Sequence, residues 1–197
     1  AAEAGMPQYK FSSMDTKKEK RFNTYKNIFK EYVDFFHQQL FRPENNQALS
    51  YLEKRGLNQN IIKEFNLGYV PWQNNFYEKL LTKFSEAEIV LTGLYYKNEK
   101  TNKFIDRFNS RIIFPINNLT SETIAFGGRI IRESPLAKYI NSPETEFYKK
   151  GRTVFNLDKA KALRSETNEA IIVEGYMDVV SLYAAGVKNT ISNSGTA

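Results

Sequence analysis

The chain has 197 residues, 41% hydrophobic and 14% aromatic, enough to fill one large core or two small ones. It contains no cysteine and one histidine, His37, which excludes a disulfide framework and a cysteine–histidine zinc site; any metal is expected on carboxylates and water. The formal charge is +6, no stretch approaches the roughly 18 apolar residues of a membrane helix, and the opening AAEAGMPQYKF lacks the layout of a secretory signal.

Residues 1 to 20 are polar, with the charge run Asp15 to Lys20, and are expected to form a flexible lead-in. From Phe22 to Leu40 the apolar residues recur at steps of three and four, which predicts one long amphipathic helix ended by Pro43. Asn45 to Gly68 reads as a helical hairpin, the first helix stopping at Gly56 and the second capped by Asn58. Residues 74 to 92 repeat the pattern, with Ser85, Glu86 and Glu88 capping the second helix. His37 is expected to have a packing or surface role and no part in catalysis, Trp72 to be a packed anchor, and the aromatic stripe of the long helix to be core.

Composition then shifts. Arg111–Ile116 and Thr123–Ile131 are β-rich runs expected to pair as an antiparallel hairpin, with Pro115 at an edge or bulge. Asn156 or Asp158 can cap a short helix running to Leu163. Ala170–Val173 has the composition of a buried strand, Tyr176–Ala185 that of a helix closed by Gly186, and Asn189–Ser192 that of a second strand, together a β-α-β unit with parallel strands. The last strand is expected to leave an unpaired edge.

Charge is placed unevenly: residues 100 to 152 hold ten Lys/Arg against five Asp/Glu, so +5 of the total lies in about a quarter of the chain. A polyanion-facing surface is expected there. In a parallel sheet, ligands gather beyond the carboxyl ends of strands, where Glu174 stands, with Asp178 one helical turn on. Two carboxylates there suit a hard cation such as Mg²⁺ and phosphoryl or nucleotidyl transfer; the spacing equally fits a capping glutamate beside a solvated aspartate. Tyr139 and Phe147 can stack on bases or pack in the core. No glycine-rich P-loop or dinucleotide fingerprint is present.

The run IIVEGYMDVVSLYAAGVKNTISNSGTA, residues 171 to 197, resembles the opening of the toprim fold of bacterial primases and type IA/II topoisomerases, and Glu-Gly-Tyr-Met-Asp resembles the primase branch in particular. RIIFPI, IAFGGRII, KYINSPETEFYKKG and YLEKRGLNQNIIKEFNLGY fall in the order found in the RNA polymerase domain of bacterial DNA primases. The resemblance implies an α+β fold: a helical and mixed-β amino-terminal subdomain over residues 21 to 168, then the start of a toprim α/β unit over 169 to 197, truncated before the family's Asp-x-Asp pair. It implies DNA-templated synthesis of RNA primers, with Glu174 as metal ligand or acid/base and Asp178 as the second catalytic acid. Arg129, Lys138, Asn141, Lys150 and Arg152 match a basic ridge and groove for template and nucleotide phosphates. The implied cofactor is Mg²⁺ or Mn²⁺, with zinc only in an amino-terminal domain this chain lacks. Implied partners are single-stranded DNA, ribonucleoside triphosphates and the replicative helicase, through an absent carboxy-terminal region. The implied setting is the bacterial cytoplasm, at the replisome, away from membranes. Another toprim enzyme, or a nucleic-acid-binding module without catalysis, are the alternatives.

Overall fold

The computed structural model describes residues 13–193. Helix α1, Ser13–Leu40, buries Tyr25, Ile28, Phe29, Tyr32 and Phe36, which its 3.6-residue repeat brings to one face. Tyr32 meets the rings of Phe36, Phe76 and Phe126 at 4.5, 5.8 and 5.0 Å, so the stripe is core. Part of the flexible lead-in expected over residues 1 to 20 is ordered. Ser13 to Lys20 are helical, because no proline or glycine interrupts them and Lys and Glu are good helix formers in water; residues 1 to 12 lie outside the described residues.

Helices α2, Asn46–Lys54, and α3, Gln59–Glu64, form the expected hairpin. Gly56 takes φ +82° between them, and the Asn58 side chain accepts a hydrogen bond from the Ile61 amide at 3.0 Å. Strand β1, Gly68–Val70, passes so close to α1 that a Cβ at residue 68 would sit 2.8 Å from the Phe36 backbone. Of the two roles expected for His37 the structure shows packing, its Nδ1 2.7 Å from the Leu67 carbonyl oxygen. Helices α4, Phe76–Leu81, and α5, Glu86–Leu91, follow, the second opened by a reciprocal Ser85–Glu88 capping box. Trp72, expected to be a packed anchor, is 66% exposed: it lies in the loop between β1 and α4, where no element covers it.

Strands β2, Tyr95–Lys97, and β3, Phe104–Asp106, form a small antiparallel pair. Strands β4, Arg111–Asn117, and β5, Thr123–Ile130, form the expected hairpin, and β6, Tyr139–Asn141, completes a sheet of order β1-β4-β5-β6. Pro115 lies in an interior strand, yet pairing with β1 ends at Ile113, so its missing amide faces a local edge beside the bulge at Ile116/Asn117. Alternation along β4 sends Ile113 toward α1 and Ile112, Phe114 and Ile116 into a second cluster on the opposite side.

The remaining elements are β7, Val154–Phe155; α6, Leu157–Ala160; α7, Arg164–Thr167; β8, Ile171–Val173; α8, Tyr176–Ala184; and β9, Thr190–Asn193. β8 and β9 are parallel, joined through α8, and β7 pairs antiparallel with β9. Two expectations change. The run read as a buried strand is exposed, Ile172 at 76%, because β8 is the edge of the order β7-β9-β8; the last strand is its centre and leaves no free edge there. Asn156 does not cap α6 through its side chain. It takes φ +65° and donates through Nδ2 to the Thr190 carbonyl at 2.9 Å.

Candidate functional site

Chain direction and register place the site. β8 runs into Glu174 and Gly175, and α8 starts at Tyr176, so Glu174 leaves the carboxyl end of a parallel strand while Asp178 sits in the first helical turn. In β5 and β6, Gly127 pairs with Asn141 and Arg129 with Tyr139, so these four residues share one face. The ring of Tyr176 lies over Gly127, where any Cβ would overlap it, and its hydroxyl donates to Asn141 Oδ1 at 2.7 Å.

The result is a cleft of about 1140 Å³. Glu174 and Asp178 line it together with Arg107, Asn141 and Lys150, and Tyr139 and Tyr176 form aromatic walls. Both carboxylates are solvent-exposed and open to ligands. A Cβ at Gly175 would only touch the Asp178 carboxylate, at 3.4 Å from Oδ2. Among the described residues no cluster of three or more acidic, histidine or cysteine side chains could enclose a metal. Two carboxylates suit a hard divalent ion that completes its shell with water and phosphate oxygens, which is how Mg²⁺ binds.

Arg107 was not singled out in the sequence beyond its place in the basic segment. It follows β3, its amide donates to the Leu94 carbonyl at 2.8 Å, and its Nε donates to the Gly93 carbonyl at 2.8 Å. Asp106 anchors the turn beside it, accepting from Tyr32 Oη at 2.9 Å and the Phe108 amide at 2.8 Å. Complete burial pushes this carboxyl up to about 7, against the hydrogen bonds that favour its ionised form.

The basic ridge expected from the sequence is divided. Asn141 and Lys150 line the cleft, whereas Arg129 is buried, its guanidinium 5.1 and 5.0 Å from the rings of Tyr51 and Tyr139 and donating to the Tyr139 hydroxyl. The cross-strand register causes this, setting Arg129 behind Tyr139 instead of at the solvent. Lys138 is exposed just before β6, and its carbonyl accepts from Arg111 Nη1 at 3.3 Å. The 3-10 turn Lys150–Arg152 separates two hollows: Arg152 faces a second one, about 530 Å³, shared with Lys149. Phe147, weighed as a base-stacking residue, packs at 5.0 Å from both Phe22 and Tyr25.

An antiparallel sheet covered by helices, joined to a β-α-β unit with acidic residues at its carboxyl edge, makes a mixed α+β fold. Residues 35–161 match the family of the DNA primase catalytic core, N-terminal domain. The chain is 39% identical over 169 residues to a DNA primase of Synechocystis sp., an alignment covering 83% of this chain and 26% of that protein. It superposes on the DnaG primase catalytic domain bound to ssDNA with a TM-score of 0.81 at 33% identity, covering 91% of this chain and 56% of that one. The Aquifex aeolicus primase, in a structure of its zinc-binding and RNA polymerase domains, matches with a TM-score of 0.80 at 31% identity, covering 90% and 43%. The chain belongs to the DNA primase catalytic core family and spans about a quarter of the length of the relative it matches in Synechocystis.

Proposed function

We propose that this chain is part of a bacterial DNA primase that makes short RNA primers on single-stranded DNA from ribonucleoside triphosphates, and that residues 169 onward open its toprim unit. One observation carries the reading: Glu174 and Asp178 line a single cleft together with Arg107, Asn141 and Lys150. Nucleotidyl transfer needs both kinds of group, anions to hold a divalent cation and cations to hold phosphates.

Glu174 is the proposed metal ligand, with Asp178 as the second acid; a bound Mg²⁺ or Mn²⁺ would stabilise charge on the attacked α-phosphate and the departing pyrophosphate. Lys150 and Arg107 neutralise phosphates of strand or nucleotide, and Asn141 donates a hydrogen bond to the nucleotide. Arg129 acts one side chain back, holding Tyr139 against the cleft. Lys138 and Arg152 extend the phosphate track along the surface on either side. Zinc and the replicative helicase are assigned to other regions of the whole protein. No helix among the described residues is long and apolar enough to cross a membrane, in keeping with a proposed setting in the bacterial cytoplasm at the replisome.

The test is RNA synthesis by the complete protein on a single-stranded template with ribonucleoside triphosphates and Mg²⁺. Template-dependent RNA that disappears on chelation is the expected result. A protein that binds the template yet makes no RNA is a binding module, and the proposal fails.

A further inference from the structure

Tyr176 joins the two walls of the cleft. It follows Glu174 by two residues and begins the helix that carries Asp178, while its hydroxyl reaches Asn141 on β6 at 2.7 Å. Its ring is fixed on several sides, stacked on Phe114 at 5.8 Å and 24°, edge-on to Phe155 at 4.9 Å, and pressed over the bare backbone of Gly127. Such a ring has no freedom to follow a ligand; its hydroxyl is a fixed point.

An asparagine amide offers an acceptor at one end and a donor at the other, and the two ends exchange by a flip of the side chain. A phosphate oxygen or a sugar hydroxyl oxygen accepts only from the donor end. We propose that Tyr176 is a positioning residue: by donating to Asn141 Oδ1 it fixes the amide so that Nδ2 serves as a donor to the incoming nucleotide. This rests on the nucleotide-binding role proposed above for Asn141. The same contact ties the acidic edge to β6, so the carboxylates and the amide keep one spacing. Gly127 belongs to the device, because it faces Asn141 in register and its missing side chain makes room for the ring.

Tyr176→Phe removes the hydroxyl and keeps the ring. In primer synthesis by the complete protein, its KM for ribonucleoside triphosphates should rise about five-fold, the effect of one lost orienting hydrogen bond, with kcat changed by less than about two-fold. In an Asn141→Ala background the same substitution should change KM by less than about two-fold, since the group it orients is gone. An unchanged KM in the otherwise native protein, or an equal rise in both backgrounds, overturns the proposal. A second readout is independent of priming: the Asn141 side-chain amide resonances of this chain, assigned with Asn141→Ala, should shift in Tyr176→Phe. Unmoved resonances overturn the orienting role, whereas shifted resonances in a protein that makes no RNA support the contact and place the failure with the proposed function.

Discussion

At the residue scale the most informative group outside the cleft is Asp106. Its carboxyl is completely buried and pushed from 3.8 up to about 7, so the folded chain holds a proton that the unfolded chain gives up. Raising the pH through that window removes the proton from the folded state as well, and stability falls; below about 4 both states are protonated and the effect vanishes. The loss between pH 4 and pH 8 attributable to this group is as much as about 4 kcal/mol. Half-buried Glu88 and Glu122 and exposed Glu144 are shifted down by their hydrogen bonds and act in the opposite sense, so the comparison must be with Asp106→Asn. Urea unfolding across that range should show stability in the native chain falling with pH relative to Asp106→Asn; parallel curves would contradict the buried-carboxyl account. Lys150 supports a prediction of another kind. Lys150→Ala should weaken single-strand binding and lower the slope of log affinity against log salt by about 1, measured by fluorescence anisotropy. Neither Asp106 nor Arg107 was legible as a site residue, since burial and the β2–β3 pairing that create their roles depend on strands of three residues with no pattern of their own.

At the element scale, capping and glycine geometry decide how the cleft is built. Asn58→Ala should cost about 1 kcal/mol, because its oxygen accepts the Ile61 amide at the start of α3. Gly127→Ala should cost more, about 2 kcal/mol or above, because the added methyl overlaps a ring held by Phe114 and Phe155. Thermal unfolding of the two variants checks the order, and a milder effect at residue 127 would contradict the described packing. Most helices were legible because they carried their own punctuation: Pro43, Gly56, Asn58, Ser85 and Gly186 stand at or just beyond an end of α1, α2, α3, α5 and α8. β6 and β7 carried none; Tyr139–Asn141 and Val154–Phe155 become strands only because β5 and β9 supply partners. Arg129 shows the limit for a site residue. Its basic character was plain in Gly-Gly-Arg, but the register that places it behind Tyr139 is a property of the paired strands.

At the scale of the whole molecule, one core cluster unites the helical hairpin, the larger sheet and α8, bringing Leu40, Leu52, Phe114, Met177 and Val180 together. Packing across that cluster fixes the acidic edge of the β-α-β unit relative to β6. In this chain β8 is an edge strand with Ile172 76% exposed. Such an edge invites pairing with another chain; Ile172→Lys should therefore reduce self-association of this chain at high concentration in light scattering, and equal association would show that the edge is not the contact. Acidic and basic residues far apart in the sequence were legible as two separate features, the +5 segment and the Glu174/Asp178 pair, and the shared core is what makes them one site. The most direct test of that site is primer synthesis by the complete protein carrying Glu174→Gln, assayed beside its binding to a single-stranded template. Synthesis should be lost with binding retained, and a Glu174→Gln protein that still primes at the native rate would contradict the account.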